Sequence, residues 1–151
     1  MTSHIVGVDT VRSKLNDNSL RLIDVRREVD YNQGHIPNAV NLPLASLLSG
    51  DSPESAVELF EEVGIGDNTE VVIYDDTFGA LASRIAWTLQ YIGHKNVALL
   101  EITYSRWKEL GLKTSTEKPN IKPAKHSLNL NPEIMATAEY LENAKEKDNV
   151  V

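Results

Sequence analysis

Leu22-Ile23-Asp24-Val25-Arg26, followed by Tyr31-Asn32-Gln33-Gly34-His35-Ile36-Pro37-Asn38-Ala39-Val40-Asn41-Leu42-Pro43, decides the fold of this chain. Leu20 to Val25 is a short apolar run of the kind that forms a strand buried on both faces. It ends in charged residues, at the edge where α/β folds place their sites. His35-Ile36-Pro37 and Val40-Asn41-Leu42-Pro43 form an extended return, since the residue before each proline is pushed out of helical space.

Outward from that stretch, strands and helices alternate. Val8, Val11 and Leu15 recur at helical spacing, with Asp17-Asn18 closing the helix. Pro53 opens a second helix whose inner face is Ala56, Val57, Phe60 and Val63, with Gly64 beyond its end. Val71-Val72-Ile73-Tyr74 is a second buried strand after the turn Gly66-Asp67-Asn68. Leu81, Ile85, Leu89 and Ile92 make the apolar stripe of a long helix ending at Gly93. Val97-Ala98-Leu99-Leu100 is the next strand, and Tyr104–Leu110 a short helix stopped by Gly111. This order predicts an α/β fold with a mostly parallel central sheet of about five strands and helices on both faces.

At 151 residues the chain can build one substantial core plus a remainder, and 41 % hydrophobic with 25 % charged residues is a globular composition. A net charge of −7 argues against nucleic acid as a partner. No stretch is apolar enough to span a bilayer and the N-terminus lacks a signal layout, so no membrane partner and a cytoplasmic address are expected. The absence of cysteine excludes disulfides, and four scattered histidines without cysteine do not make a zinc site. No metal and no cofactor are expected.

The composition changes after Gly111. Residues 1–113 are expected to form one domain, and 114–131, with Pro119, Pro123 and His126 but little apolar period, an extended linker. Asn131-Pro132-Glu133 has the pattern of a helix start, with Ile134, Ala138 and Leu141 on one face. Helix, polar turn and apolar strand repeat the order of Val8–Val25. Residues 132–151 are therefore expected to be the truncated start of a second copy of the domain.

The Asp24-Val25-Arg26 and His35-Ile36-Pro37 motifs resemble those of rhodanese domains, the fold of thiosulfate and 3-mercaptopyruvate sulfurtransferases. Tyr74-Asp75-Asp76-Thr77-Phe78-Gly79-Ala80-Leu81-Ala82-Ser83-Arg84, then Trp87, Tyr91-Ile92-Gly93-His94, Tyr104-Ser105-Arg106-Trp107 and Gly111-Leu112, resemble the N-terminal half of the tandem-domain members. Two departures stand out: Asn38 where the family usually has glycine, and Ile102-Thr103 where a Gly-Gly pair usually follows the strand. The resemblance implies that Asp24, Arg26, His35 and Pro37 are structural motif residues. It also implies that Asp75 occupies the position of the catalytic cysteine, so that Asp75, Asp76, Thr77, Phe78, Gly79 and Arg84 form a vestigial loop and no residue of this chain is catalytic. In a catalytic loop, backbone N–H groups and a helix start hold a thiolate and its persulfide. A carboxylate cannot carry sulfane sulfur, and Asp76 is expected to double the negative charge of the cradle.

The single residues have simpler roles open to them. Asp75 or Asp76 is expected to cap the helix beginning near Gly79, in preference to an aspartyl nucleophile or Mg²⁺ ligand. Arg26 is expected to pair with Glu28 or Asp30 near the surface, and Arg84 to face the two loop carboxylates. His35 is expected to bond local backbone, His94 to sit at a helix end, and His4 and His126 to lie in flanking segments. Trp107 is expected in the core. Trp87 and Tyr91 are expected in the core or against a partner. The expected function is the supporting half of a sulfurtransferase, with the second rhodanese domain as partner and some self-association through an apolar patch near Trp87 or Tyr91. The alternative is a stand-alone rhodanese-like binding module.

Overall fold

The computed structural model describes residues 4–17, 19–50 and 52–131. The chain runs β1 (His4–Val6), α1 (Val8–Lys14), β2 (Leu20–Asp24), α2 (Glu28–Gln33), β3 (Val40–Asn41), α3 (Leu44–Leu48), α4 (Pro53–Glu62), β4 (Glu70–Tyr74), α5 (Ala80–Tyr91), β5 (Val97–Leu100) and α6 (Tyr104–Glu109). The five strands form one sheet in the order β1-β5-β4-β2-β3, and every pairing is parallel. The strands at Leu20 and Val71 and the helices opened by Pro53 and by Leu81 lie where the sequence puts them. Elements β1, α2 and α3 have no counterpart in the sequence pattern. His4, expected in a flanking segment, is instead paired with Ala98 in the sheet.

Alternation along the strands makes two cores. Ile23, Val71, Ile73 and Val97 point to the face packed by Leu47, Phe60, Ile85 and Leu89. Leu22, Val72, Tyr74 and Leu100 point to the other, with Val11, Tyr31 and Trp107. Helix ends are fixed locally: Ser52 and Ser55 form a capping box on α4 behind Pro53, and Thr103 caps α6 by accepting from Arg106 N–H at 3.1 Å. Thr103 thus replaces an expected glycine with a helix cap.

Asn38 has an equally physical explanation. Ala39 N–H donates to Ile36 O at 3.0 Å, closing a turn with Pro37 second and Asn38, at φ 68, third. That is the arrangement of a type II turn, whose third position needs a left-handed backbone. Glycine is the easiest residue there, and asparagine is tolerated. The Asn38 amide further donates to Leu15 O at 2.7 Å, tying the turn to the end of α1.

Residues 114–131 lie along the domain as an extended strap. Ser115 pairs with His35 in an antiparallel bridge, Ala124 N–H donates to Glu61 O, and Asn129 N–H to Ile92 O. At Gly93, φ is 102 and an added Cβ would stand 2.5 Å from the Asn129 carbonyl oxygen, so only glycine lets the strap approach α5 this closely. The helix expected from Pro132 and the rest of the tail to Val151 lie outside the described residues.

The turn gives a test. Asn38→Ala should lower stability by about 1–2 kcal/mol through left-handed strain and the lost tie to α1. Asn38→Gly should change it by less than about 1 kcal/mol, because relieved strain offsets the lost hydrogen bonds. Urea midpoints at constant m-value check both.

Candidate functional site

The C-terminal edge of the sheet is organised by one buried carboxylate. Asp24, fully buried at the end of β2, accepts Arg26 Nη2 at 2.7 Å, Arg26 Nε and the Arg26 backbone N–H. It also accepts the Tyr74 hydroxyl at 2.6 Å, from the end of β4. The guanidinium donates onward to Gly34 O at 2.6 Å and lies 4.0 Å over the Tyr104 ring. Burial and the neighbouring Asp24 charge push the Tyr74 hydroxyl well above its ordinary pKa, so it stays protonated and donating. The surface pairing expected for Arg26 is therefore corrected: Arg26 turns inward to Asp24, and Arg27 takes Asp30 at 3.2 Å.

His35 belongs to the same assembly. It is buried, stacks on Tyr31 with ring centroids 4.0 Å apart, and places Nδ1 2.9 Å from Ile36 O. Ile36 N–H donates to the Tyr74 hydroxyl at 3.1 Å. Pro37 leads the type II turn. Asp24, Arg26, His35 and Pro37 are thus brought together, as one scaffold joining β2, β4 and the return loop.

Asp75 follows directly on β4 and is 3 % exposed. Its carboxylate accepts backbone N–H groups from Thr77, Gly79, Leu81 and Ala82 at 2.9–3.0 Å, together with the Thr77 hydroxyl at 3.0 Å. Phe78 and Gly79 both have left-handed backbone, at φ 58 and 93, so the loop curls its N–H groups around one anion. Burial acts to raise the Asp75 pKa, but the donors from Ala82, Gly79 and Thr77 outweigh it and hold the carboxyl below its ordinary value. With its oxygens so fully committed, Asp75 has no lone pair placed for a metal ion or an incoming electrophile.

The other loop carboxylate does something different from what its sequence position suggests. Asp76 turns to α6, accepting the Ser105 N–H at 2.9 Å and hydroxyl at 2.7 Å. It pins the loop to a neighbouring helix and adds no second charge to the cradle. Arg84 does not face these carboxylates; its guanidinium lies 5.0 Å over the Trp87 ring. Trp87 and Tyr91 are half-buried and stacked, with centroids 5.4 Å apart. Phe78 projects from the loop tip, 95 % exposed. Beside the loop a groove of about 570 Å³ is lined by Arg26, Asp76, Thr77, Leu81, Tyr104 and Lys108 among others.

His94 and His126 correct the expectation of scattered histidines. Both are buried and their rings meet, His94 Nδ1 lying 2.8 Å from His126 Nε2. Nothing in local sequence announces a pair separated by thirty-two residues. Among the described residues no helix is long and apolar enough to cross a membrane.

Comparison with known proteins gives this edge its family context. Residues 7–110 match the rhodanese-like domain. A putative thiosulfate sulfurtransferase of Synechococcus elongatus is 30 % identical over 134 residues, which cover 82 % of this chain and 42 % of that protein. The 3-mercaptopyruvate sulfurtransferase of Mus musculus is 31 % identical over 131 residues, covering 80 % and 43 %. The crystal structure of a 3-mercaptopyruvate sulfotransferase of Escherichia coli shares the fold, with TM-score 0.77 at 24 % identity over 87 % of this chain and 57 % of that one. The chain spans about half the length of the curated relatives it matches.

Replacing the cradle's carboxylate tests its role. Asp75→Asn should cost at least about 1–3 kcal/mol at neutral pH, because an amide nitrogen then faces inward-pointing N–H groups. The folded pKa of Asp75 is depressed, so its stabilisation is fully present above the ordinary carboxyl value of about 3.9 and is lost as pH falls through the lower folded value. Denaturant titrations from pH 5 down to 3 should therefore show a shallower acid loss in Asp75→Asn than in the parent chain.

Proposed function

The chain belongs to the rhodanese-like domain family, and we propose that it serves as the half of a two-domain sulfurtransferase that carries no nucleophile of its own. One observation carries this: the anion cradle at the end of β4 is occupied by Asp75, saturated by five donors of its own loop. Sulfur transfer in this family needs a thiolate that forms a persulfide in such a cradle. This chain has no cysteine, and its carboxylate repels a thiosulfate or mercaptopyruvate anion.

On this reading residues 1–113 form the supporting domain and 114–131 lead toward a second domain, with 132–151 as its start. The roughly doubled length of the sulfurtransferase relatives supports that arrangement. The C-terminal edge around Asp24, Asp75 and Thr103 would then wall one side of the active site in the other half. The stand-alone binding module is favoured by a different observation. Phe78 is held out on a rigid loop, and a fixed exposed aromatic is a common anchor for a partner protein. The reading frame beyond Val151 separates the two. A second repeat with cysteine at the matching strand end supports the enzyme half, whereas a stop codon favours the module.

Activity gives the direct test. The purified 151-residue chain should transfer no sulfur from thiosulfate or mercaptopyruvate to cyanide. Asp75→Cys alone should also remain inactive. Ile102 and Thr103 stand where small residues would open the loop, and Thr103 is committed to capping α6. Turnover above buffer that survives Asp75→Ala would overturn the proposal.

A further inference from the structure

The strap is fastened at the far end of the fold from the cradle, where β4 begins, and the fastening is a proton-counting problem. His94 Nε2 lies 2.8 Å from Thr69 O, and His126 Nδ1 lies 2.6 Å from Ser127 O. A carbonyl oxygen only accepts, so both of these outer nitrogens carry hydrogen. Between the rings, His94 Nδ1 and His126 Nε2 are 2.8 Å apart and share one more hydrogen. Three protons on two imidazoles make one neutral ring and one imidazolium.

We infer that His94 and His126 form a singly charged latch that holds the strap to the domain, and that losing or gaining a proton releases it. The charge has a counterion in place: His126 Nδ1 is 3.6 Å from Asp67 Oδ1. Asp67 also accepts the Ser127 N–H and hydroxyl, at 3.0 Å each, and so reads the same strap turn. Glu61, from the end of α4, accepts the His126 backbone N–H at 2.9 Å. Glu70, next to Thr69, is engaged by Lys14 at 3.1 Å, and the flanking Lys95 and Lys125 are exposed. The counterion stands on the His126 side of the pair, 3.6 Å from Nδ1, so the proton count makes His94 the neutral ring, in keeping with burial pushing its imidazole below the ordinary value.

Each departure from three protons breaks one contact. With two, a lone pair faces a carbonyl or two lone pairs face each other at 2.8 Å. With four, two N–H groups meet head-on between the rings. A released strap would leave both imidazoles near the ordinary value of about 6.5. Above that pH the closed latch holds more protons than the open form, so rising pH favours release. Below it the open form holds more, so falling pH also favours release. Each limb changes the opening constant by up to about tenfold per pH unit. Attachment of the strap is therefore strongest near neutrality.

Two measurements on the intact 151-residue chain test this. Long-range ¹H–¹⁵N spectra of the imidazoles near pH 6.5 should show His94 as a neutral Nε2–H ring and His126 protonated on both nitrogens. Two neutral rings would overturn the latch. Amide exchange, corrected for intrinsic rates, should show protection of His126, Ser127 and Asn129 that is greatest near pH 6.5 and falls on both sides, while Val72 and Ile73 stay constant. Flat or one-sided pH dependence of those three amides would overturn it. His126→Gln can still donate to His94 but cannot titrate, so it should abolish the alkaline limb and keep the acid one. An alkaline limb that persists in that variant would also defeat the inference.

Discussion

Everything at the C-terminal edge depends on how the buried charge of Asp24 is compensated. A carboxylate taken wholly out of water is prohibitive unless it is paired and its lone pairs are filled. Arg26 fills two roles at once, donating from its backbone and its guanidinium, and Tyr74 supplies a hydroxyl from the next strand. That requirement fixes the rest. The guanidinium must turn inward, so it meets Gly34 O and lies on Tyr104. The Tyr74 hydroxyl must point at Asp24, so it can accept Ile36 N–H and hold the return loop. The position of the groove follows from an electrostatic demand in the centre of the sheet.

The cradle next door solves a similar problem with a different supply of donors. Its N–H groups belong to a loop and a helix start, and any such array is unsatisfied until an anion enters it. Asp75 makes the anion covalent and permanent. The gain is a rigid loop, to which Asp76 adds a second tether through Ser105. The hydrogen bonds that flank it on both sides hold Phe78 in a left-handed backbone with its ring in water. The loop satisfies its own donors and presents Phe78 at the surface.

Sequence alone revealed the elements whose pattern is long or punctuated. The 3.6-residue stripe from Leu81 to Ile92, Pro53 at a favoured first-turn position, and the apolar runs at Leu20 and Val71 all carry local signals. The charged residues ending the strand at Asp24–Arg26 were visible in the pattern itself, whereas attention to Asp75 came from the resemblance to rhodanese domains. What stayed hidden was non-local. Helices α2 and α3 have six and five residues, too short for a periodic stripe, and strand β1 has three. Their existence depends on the neighbours they pack against. Arg26 misled for the same reason. Glu28 and Asp30 are close along the chain, but only the fold makes Asp24 the carboxylate left without solvent.

The strap shows what such non-local contacts add to a chain's behaviour. Its composition is that of a solvated linker, with prolines and lysines and little apolar period, and composition alone argues for free movement. Yet it is held at both ends, through Ser115 on His35 near the groove and through His126 on His94 at the opposite edge. Hydrophobic burial contributes little to such a segment, so its attachment rests on directional polar contacts whose number depends on protonation. The same domain therefore joins two kinds of electrostatics. At Asp24 and Asp75 the carboxylates are matched by donors supplied within the fold. At the histidine pair the match holds for one proton count alone, so the strap's attachment responds to pH.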